Sequence, residues 1–314
     1  MKKDAKIFVA GHTGLVGSAI VRKLNEFGYN NLILRDVRQL DMRVQNDVNR
    51  FFEEENPEFV FVAAAKVGGI HANNTYPAEF IYDNLMIECN IIHAAFQTNV
   101  TKLLFLGSSC IYPKFAPQPI KEEYILTGEL ESTNEAYAIA KISGIELCKF
   151  YRRQYECNFI SAMPTNLYGI NDNFDLNTSH VLPALIRKFH EAKMNDQKAV
   201  VIWGTGKPKR EFLFVDDLAD ALIFLMNNYD DEMHINVGTG EEIEIIELAK
   251  LIKKVVGYEG KIAHDLNKPD GTPRKLLDVS RLNNLGWKHR TALEDGIKKV
   301  YDWYRKNLLS SSRI

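Results

Sequence analysis

In the first half of the chain, short apolar runs alternate with longer segments whose apolar residues recur at helical spacing. The run KIFVA (6–10) predicts a strand, and GLVGSAIVRKLNEFG (14–28) a helix that stops at Gly28. The alternation continues with strand 31–35, helix 47–56, strand 58–65, helix 77–99, strand 102–108, helix 132–155 and strand 158–169. Such a series predicts an α/β fold, a doubly wound parallel sheet with helices on both faces. Past 170 the pattern is less regular. It predicts helices near 180–194, 216–228, 243–256 and 291–306, short strands at 200–204 and 234–238, and a polar tail from Ser310. We expect a sheet domain over 1–170, to which the chain returns around 210–240, and a smaller C-terminal α/β domain over 171–314.

Composition narrows the function. The 314 residues are 46% hydrophobic and 25% charged, with a net charge of -2. That balance is globular and gives no support to a nucleic-acid surface. Gly11 interrupts the first apolar run too early for a secretory segment, and no run nears the ~20 apolar residues of a membrane span. The four cysteines show no CxxC or Cys/His spacing, so we expect free thiols, no metal site and a cytoplasmic location.

Strand 6–10 runs into GHTGLVG, with glycines at 11, 14 and 17 before a helix. Glycines let backbone approach a ligand closely, and a helix N-terminus attracts a pyrophosphate. The spacing is G-x-x-G-x-x-G rather than G-x-G-x-x-G. With the strand before it and the helix after it, it points to a Rossmann-type dinucleotide domain. Arg35 and Arg38, after the second strand, suit a ribose 2′-phosphate and favour NADP, while Asp36 keeps NAD open. Asp41 is placed to reach the adenine.

The run LLFLGSSCIYPK (103–114) reads as a buried strand ending in two serines and Cys110. In STNEAYAIAK, Ser132 and Glu135 form a capping box that would start a helix, on which Tyr137 and Lys141 are i and i+4 and share a face. A phenol titrates near 10, and a nearby ammonium favours its phenolate. The pair then passes a proton to or from a carbonyl oxygen while hydride moves. Lys207, Lys209 and Arg210 form a basic cluster suited to a diphosphate.

On GHTGLVG, the strand-end serines and Tyr137/Lys141, the chain resembles the extended short-chain dehydrogenase/reductase family, with REFLFVDDLADA (210–221) and NVGTG (236–240) as second-half landmarks. Segments 63–95, 106–113, 163–169 and 268–279 are similar to its branch that epimerises C3 and C5 of GDP-4-keto-6-deoxy-D-mannose and reduces C4. The resemblance implies NADPH as hydride donor, a nucleotide-sugar substrate, and a homodimer paired through helices 77–99 and 132–155. It implies Cys110 as base, His180 as acid, Tyr137 as proton donor, Lys141 beside it, and Ser108 rather than Ser109 as the catalytic serine, although spacing alone does not choose. It implies cofactor contacts from Gly11, His12, Thr13, Gly14, Leu15, Val16, Gly17, Leu106, Gly107, Ser109, Lys141, Pro164, Thr165, Asn166, Leu167 and His180. Substrate contacts are implied from Lys188, Trp203, Arg210, Asp270 and Lys275, with lysine at 188 where arginine is expected. The competing readings are an NAD-dependent nucleotide-sugar 4-epimerase or 4,6-dehydratase on the same scaffold, and a non-catalytic dinucleotide sensor.

Overall fold

The computed structural model of the chain describes residues 1–268 and 270–311. Pro269 and residues 312–314 of the expected tail lie outside them. The first part comprises β1 (Ile7–Ala10), α1 (Leu15–Glu26), β2 (Leu32–Ile33), α2 (Gln45–Glu55), β3 (Phe59–Val62), α3 (Ile70–Thr75), α4 (Pro77–Gln97), β4 (Lys102–Leu106), α5 (Glu135–Tyr155) and β5 (Phe159–Pro164). There follow β6 (Asn166–Tyr168), α6 (Val181–Met194), β7 (Ala199–Trp203), β8 (Lys209–Arg210), β9 (Phe212–Phe214), α7 (Val215–Asn228) and β10 (Ile235–Val237). The chain closes with β11 (Ile243–Glu244), α8 (Ile245–Val256), β12 (Lys261–Asp265), β13 (Arg274–Lys275), α9 (Ser280–Asn284) and α10 (Leu293–Ser311).

Strands β10-β5-β4-β3-β1-β2 form one six-stranded sheet, parallel at every pairing. A parallel sheet is covered on both faces, so its strands read as unbroken apolar runs. IFVA in β1 and KLLFL in β4 are buried along their whole length. One face packs under α2, α4 and α5 through Phe8, Phe52, Ile91, Phe105 and Ile145. The other packs under α1 and α7 through Ile7, Ile20, Leu104, Leu218 and Leu222. A third core, around Phe189, Ile202, Leu248 and Ile297, belongs to a smaller lobe. There β7 pairs with β12, β8 lies between β11 and β13, and β6 pairs with β9. The return to the sheet is made by α7 and β10.

The structure departs from the sequence pattern at two places that matter for the site. Helix α5 begins at Glu135 behind Asn134 with no side-chain cap, so Ser132 and Glu135 do not form the expected box. Residues Glu131–Asn134 close a turn instead, with Asn134 N donating to Glu131 O at 3.1 Å. The expected strand 158–169 is two strands in different sheets: the β5–β10 ladder runs as far as Thr165 N, which donates to Val237 O at 3.0 Å, and from Asn166 the chain pairs with β9 instead. No helix among the described residues is long and apolar enough to cross a membrane.

Candidate active site

The sheet reverses its strand order between β1 and β3, and an α/β sheet opens its ligand crevice at the carboxyl ends beside such a point. The turn after β1 lies there. Gly11 has φ +81°, and a Cβ on it would stand 2.7 Å from Ala64 N. One on Gly17 would stand 2.0 Å from Gly11 O. Both positions therefore require glycine for packing the turn against β3 and α1. Gly14 is different: it is exposed, and a Cβ there would only touch Gly11 O at 3.5 Å. It precedes α1 with no side-chain cap, so the first-turn N–H groups face the crevice uncovered. His12 Nδ1 is buried there without a partner among the described residues. An open helix end with a bare glycine beside it fits a dinucleotide pyrophosphate, with Thr13, Leu15 and Val16 completing the turn.

The residues expected at the adenosine end are differently committed. Arg35 donates to Glu55 Oε1 at 2.5 Å and to Leu34 O at 3.0 Å, with its guanidinium over Phe51. Arg43 occupies both carboxylate oxygens of Asp41, at 2.9 and 2.8 Å. Arg38 is exposed and its side chain has no partner among the described residues.

Strand β4 ends in Leu106 and Gly107, where a Cβ on Gly107 would collide with Met163 Sδ at 2.3 Å. Ser108 then caps a single 3-10 turn, Ser109–Ile111, its hydroxyl accepting from Cys110 N at 3.5 Å. The Ser108 hydroxyl also bears on the Cys110 thiol and the Tyr137 phenol, whereas Ser109 is buried. On α5, the edge of Phe80 packs against the Tyr137 ring with centroids 6.3 Å apart. Lys141 is buried, its ammonium 4.6 Å from the Phe105 centroid and 5.9 Å from that of Tyr137.

The electrostatics correct the expectation for Tyr137. Tyr137 is not lowered by its lysine. Burial raises it far above the usual phenol range, with Cys110 and Glu88 adding to the rise and Ser108 opposing it. Cys110 is likewise raised by burial, and the largest opposing influence is Lys275, ahead of Ser108 and Lys141. With the site in this state both groups hold their protons.

His180 precedes α6 at the end of a loop whose Thr178 O accepts from Gly69 N at 2.9 Å across the cleft. Its side chain keeps accessible surface, yet the crowded cleft disfavours the imidazolium and Lys275 lowers it further. Cys110 and His180, seventy positions apart in sequence, thus both feel the charge of Lys275. Lys275 is in register with Arg210 across parallel β13 and β8. Arg210 donates to Lys209 O at 2.7 Å and Thr272 O at 2.6 Å.

At the outer end of the lobe, Trp203 is 59% exposed, with the ammonium groups of Lys188 and Lys268 at 5.9 and 5.2 Å from its centroid. Both oxygens of Asp270 are used by Thr205, at 2.9 and 2.7 Å, so Asp270 fixes the turn behind Trp203. Asn166 donates to Glu211 O at 2.8 Å, next to Pro164 and Thr165 at the end of β5; Leu167 follows in β6.

Sequence reasoning missed two buried acids. The Glu211 carboxylate accepts from the backbone N–H groups of Thr239, Gly240 and Leu277 at 2.6, 2.8 and 3.0 Å. It joins the strands that carry Arg210 and Lys275. A charged residue beside an arginine in an otherwise apolar run was its only signal. The other acid is Glu88, buried on α4, which nothing in the run IYDNLMIECN singles out.

The chain matches the NAD dependent epimerase/dehydratase family over residues 7–238. It belongs to that family. Among family members, it is 62% identical to GDP-L-fucose synthase 1 of Arabidopsis thaliana, over 98% of this chain and 95% of that one. The structure of a GDP-6-OMe-4-keto-L-xylo-heptose reductase from C. jejuni superimposes with a TM-score of 0.94 at 42% identity, over 98% of this chain and 99% of that one. A GDP-L-fucose synthetase from Naegleria fowleri, bound to NADP, gives 0.92 at 29% identity, over 99% and 97%. The family thus supplies the doubly wound sheet, and these relatives share the whole chain rather than the sheet domain alone.

Proposed function

We propose that the chain converts GDP-4-keto-6-deoxy-D-mannose to GDP-L-fucose, epimerising C3 and C5 and then reducing C4 with NADPH. The observation that carries the reading is the placing of Ser108 and Cys110 at the end of β4 against Tyr137 on α5, with Lys275 the charge that bears on both Cys110 and His180. The whole-chain likeness to GDP-L-fucose synthases supports the substrate.

NADPH, held at the glycine turn with Arg38 toward its 2′-phosphate, supplies the hydride. The chain's own groups do the rest. Protons on C3 and C5 are acidic because both carbons flank the ketone. Removing one and returning it to the other face needs a base and an acid on different elements, and the end of β4 and the start of α6 supply them. At rest the pair is a thiol and a neutral imidazole, by the shifts above. The reactive form is thiolate and imidazolium, which carries the same number of protons. Lys275 favours the thiolate member of that pair. The Ser108 and Tyr137 hydroxyls steady the enolate oxygen as donors. A phenol held protonated by burial is then ready to give its proton to the C4 oxygen.

Arg210 and Lys275 take the diphosphate and Trp203 offers an aromatic face to the base, with Lys188 beside it. Tyr82, Ile139, Phe150 and Tyr155 are exposed on α4 and α5, and they support a homodimer built through these two helices. The four unpaired thiols support a reducing, cytoplasmic setting. Incubation with the keto sugar in heavy water tests the reading. It predicts NADPH oxidation with deuterium at C3 and C5; a tightly held cofactor that cycles without net consumption would instead mark a 4-epimerase or dehydratase.

A further inference from the structure

Glu88 is 1% exposed, and both its carboxylate oxygens are buried without a well-formed hydrogen bond, the backbone of Gly144 on α5 being the donor that bears on them. A carboxylate in that position is costly unless a charge compensates it. Helix α4 lies along α5, and across that seam the group facing Glu88 is Lys141, itself 2% exposed. The two do not close an ion pair within 4.0 Å. The Lys141 ammonium sits over the Phe105 ring and under that of Tyr137. A buried acid and a buried base therefore face each other without closing a pair, each pushed by burial toward its neutral form, and the base lies below the phenol.

We propose that Glu88 is a positioning residue for the reduction, whose carboxylate keeps Lys141 an ammonium and holds it beneath Tyr137. This rests on the reading of Tyr137 and Lys141 as the proton-donating pair. Burial alone would strip the lysine of its proton, and Glu88 is the leading influence that opposes this, ahead of Cys110. Reciprocally, burial pushes the Glu88 carboxyl up, and Lys141 is the charge that pulls it back. The titratable groups that respond to Glu88 are Lys141, Tyr137 and Cys148 on α5, and Cys89 beside it on α4. No charge from α2, α3 or β3 acts on it. A lysine held as an ammonium can return a proton to the phenolate left after Tyr137 has donated, itself becoming the neutral amine, whereas a lysine already neutral has no proton to give.

The test is the Lys141 side-chain titration, followed by NMR on protein carrying 13C-labelled lysine, with Lys141→Met identifying the resonance. In Glu88→Gln, which keeps the shape and removes the charge, Lys141 should lose its proton about one pH unit or more lower. The alkaline limb of kcat for ketone reduction should move down with it, and kcat at pH 7.5 should fall about tenfold. Glu88→Asp should restore part of both. Should Glu88→Gln not fold, the reciprocal experiment stands: in Lys141→Met, the labelled Glu88 carboxyl should titrate higher than in the wild type. An unmoved titration of either group when the other is removed overturns the proposal and leaves Glu88 as packing. If the titrations are coupled but the wild type does not reduce the keto sugar, the assigned function fails and the coupling survives.

Discussion

Lys275 and Arg210 stand side by side on parallel strands, and the Glu211 carboxylate, one residue beyond Arg210, accepts from Leu277 N two residues beyond Lys275. One buried acid thus ties together the strands that bring both cations to the cleft. Glu211→Ala leaves three backbone donors unpaired. At ~1–3 kcal/mol for each buried unsatisfied group, we expect a loss of at least about 3 kcal/mol in chemical denaturation. Glu211→Gln retains one acceptor oxygen and should lose less, while raising KM for the nucleotide sugar more than KM for NADPH.

Gly14 and Gly17 separate binding from folding. A methyl at Gly17 has no room, so Gly17→Ala should destabilise the protein and abolish cofactor binding together. At Gly14 the methyl meets only an ordinary contact. Gly14→Ala should keep its stability within ~0.5 kcal/mol yet weaken NADPH binding about tenfold, since it fills the space left for the pyrophosphate. Fluorescence titration with NADPH and a melting curve read the two effects separately.

His234 predicts a stability change with pH. It is 3% exposed, shares a hydrogen bond of 2.9 Å with Tyr112, and burial lowers its pKa to about 4. The unfolded chain binds this proton near 6.5 and the folded one only near 4, so acid favours unfolding. The contribution is fully present above pH 6.5 and is lost progressively as pH falls toward 4. It amounts to about 3 kcal/mol across that window. Denaturation curves at pH 7 and pH 4.5 should show the wild type losing more than His234→Gln by about that amount.

Much of the fold could be read from near-continuous apolar strands, because a sheet covered on both faces leaves no polar positions in β1 or β3 and only Lys102, at its start, in β4. The glycine turn and the Tyr137/Lys141 spacing were legible for the same local reason. What escaped was non-local. The break after Thr165 is set by the pairing of β6 with β9, and the burial of Glu88 by a helix some fifty residues on. The resemblance gave Cys110 the role of base, but that its thiol is raised by enclosure, against the opposing charge of Lys275, could not be read from sequence. Lys275 appeared in the sequence as a substrate contact, and its influence on both Cys110 and His180 emerges only when β13 docks beside β8.

The central claim is that Cys110 moves the protons at C3 and C5 before any hydride is delivered. We would measure deuterium incorporation from heavy water into the sugar, with NADPH oxidation followed in parallel, for the wild type and Cys110→Ser. The account predicts deuterium at both carbons in the wild type and loss of at least about a hundredfold in its rate of incorporation in the variant, with NADPH binding unchanged. NADPH consumption by the wild type with no deuterium at either carbon would contradict it and make the protein a simple ketoreductase.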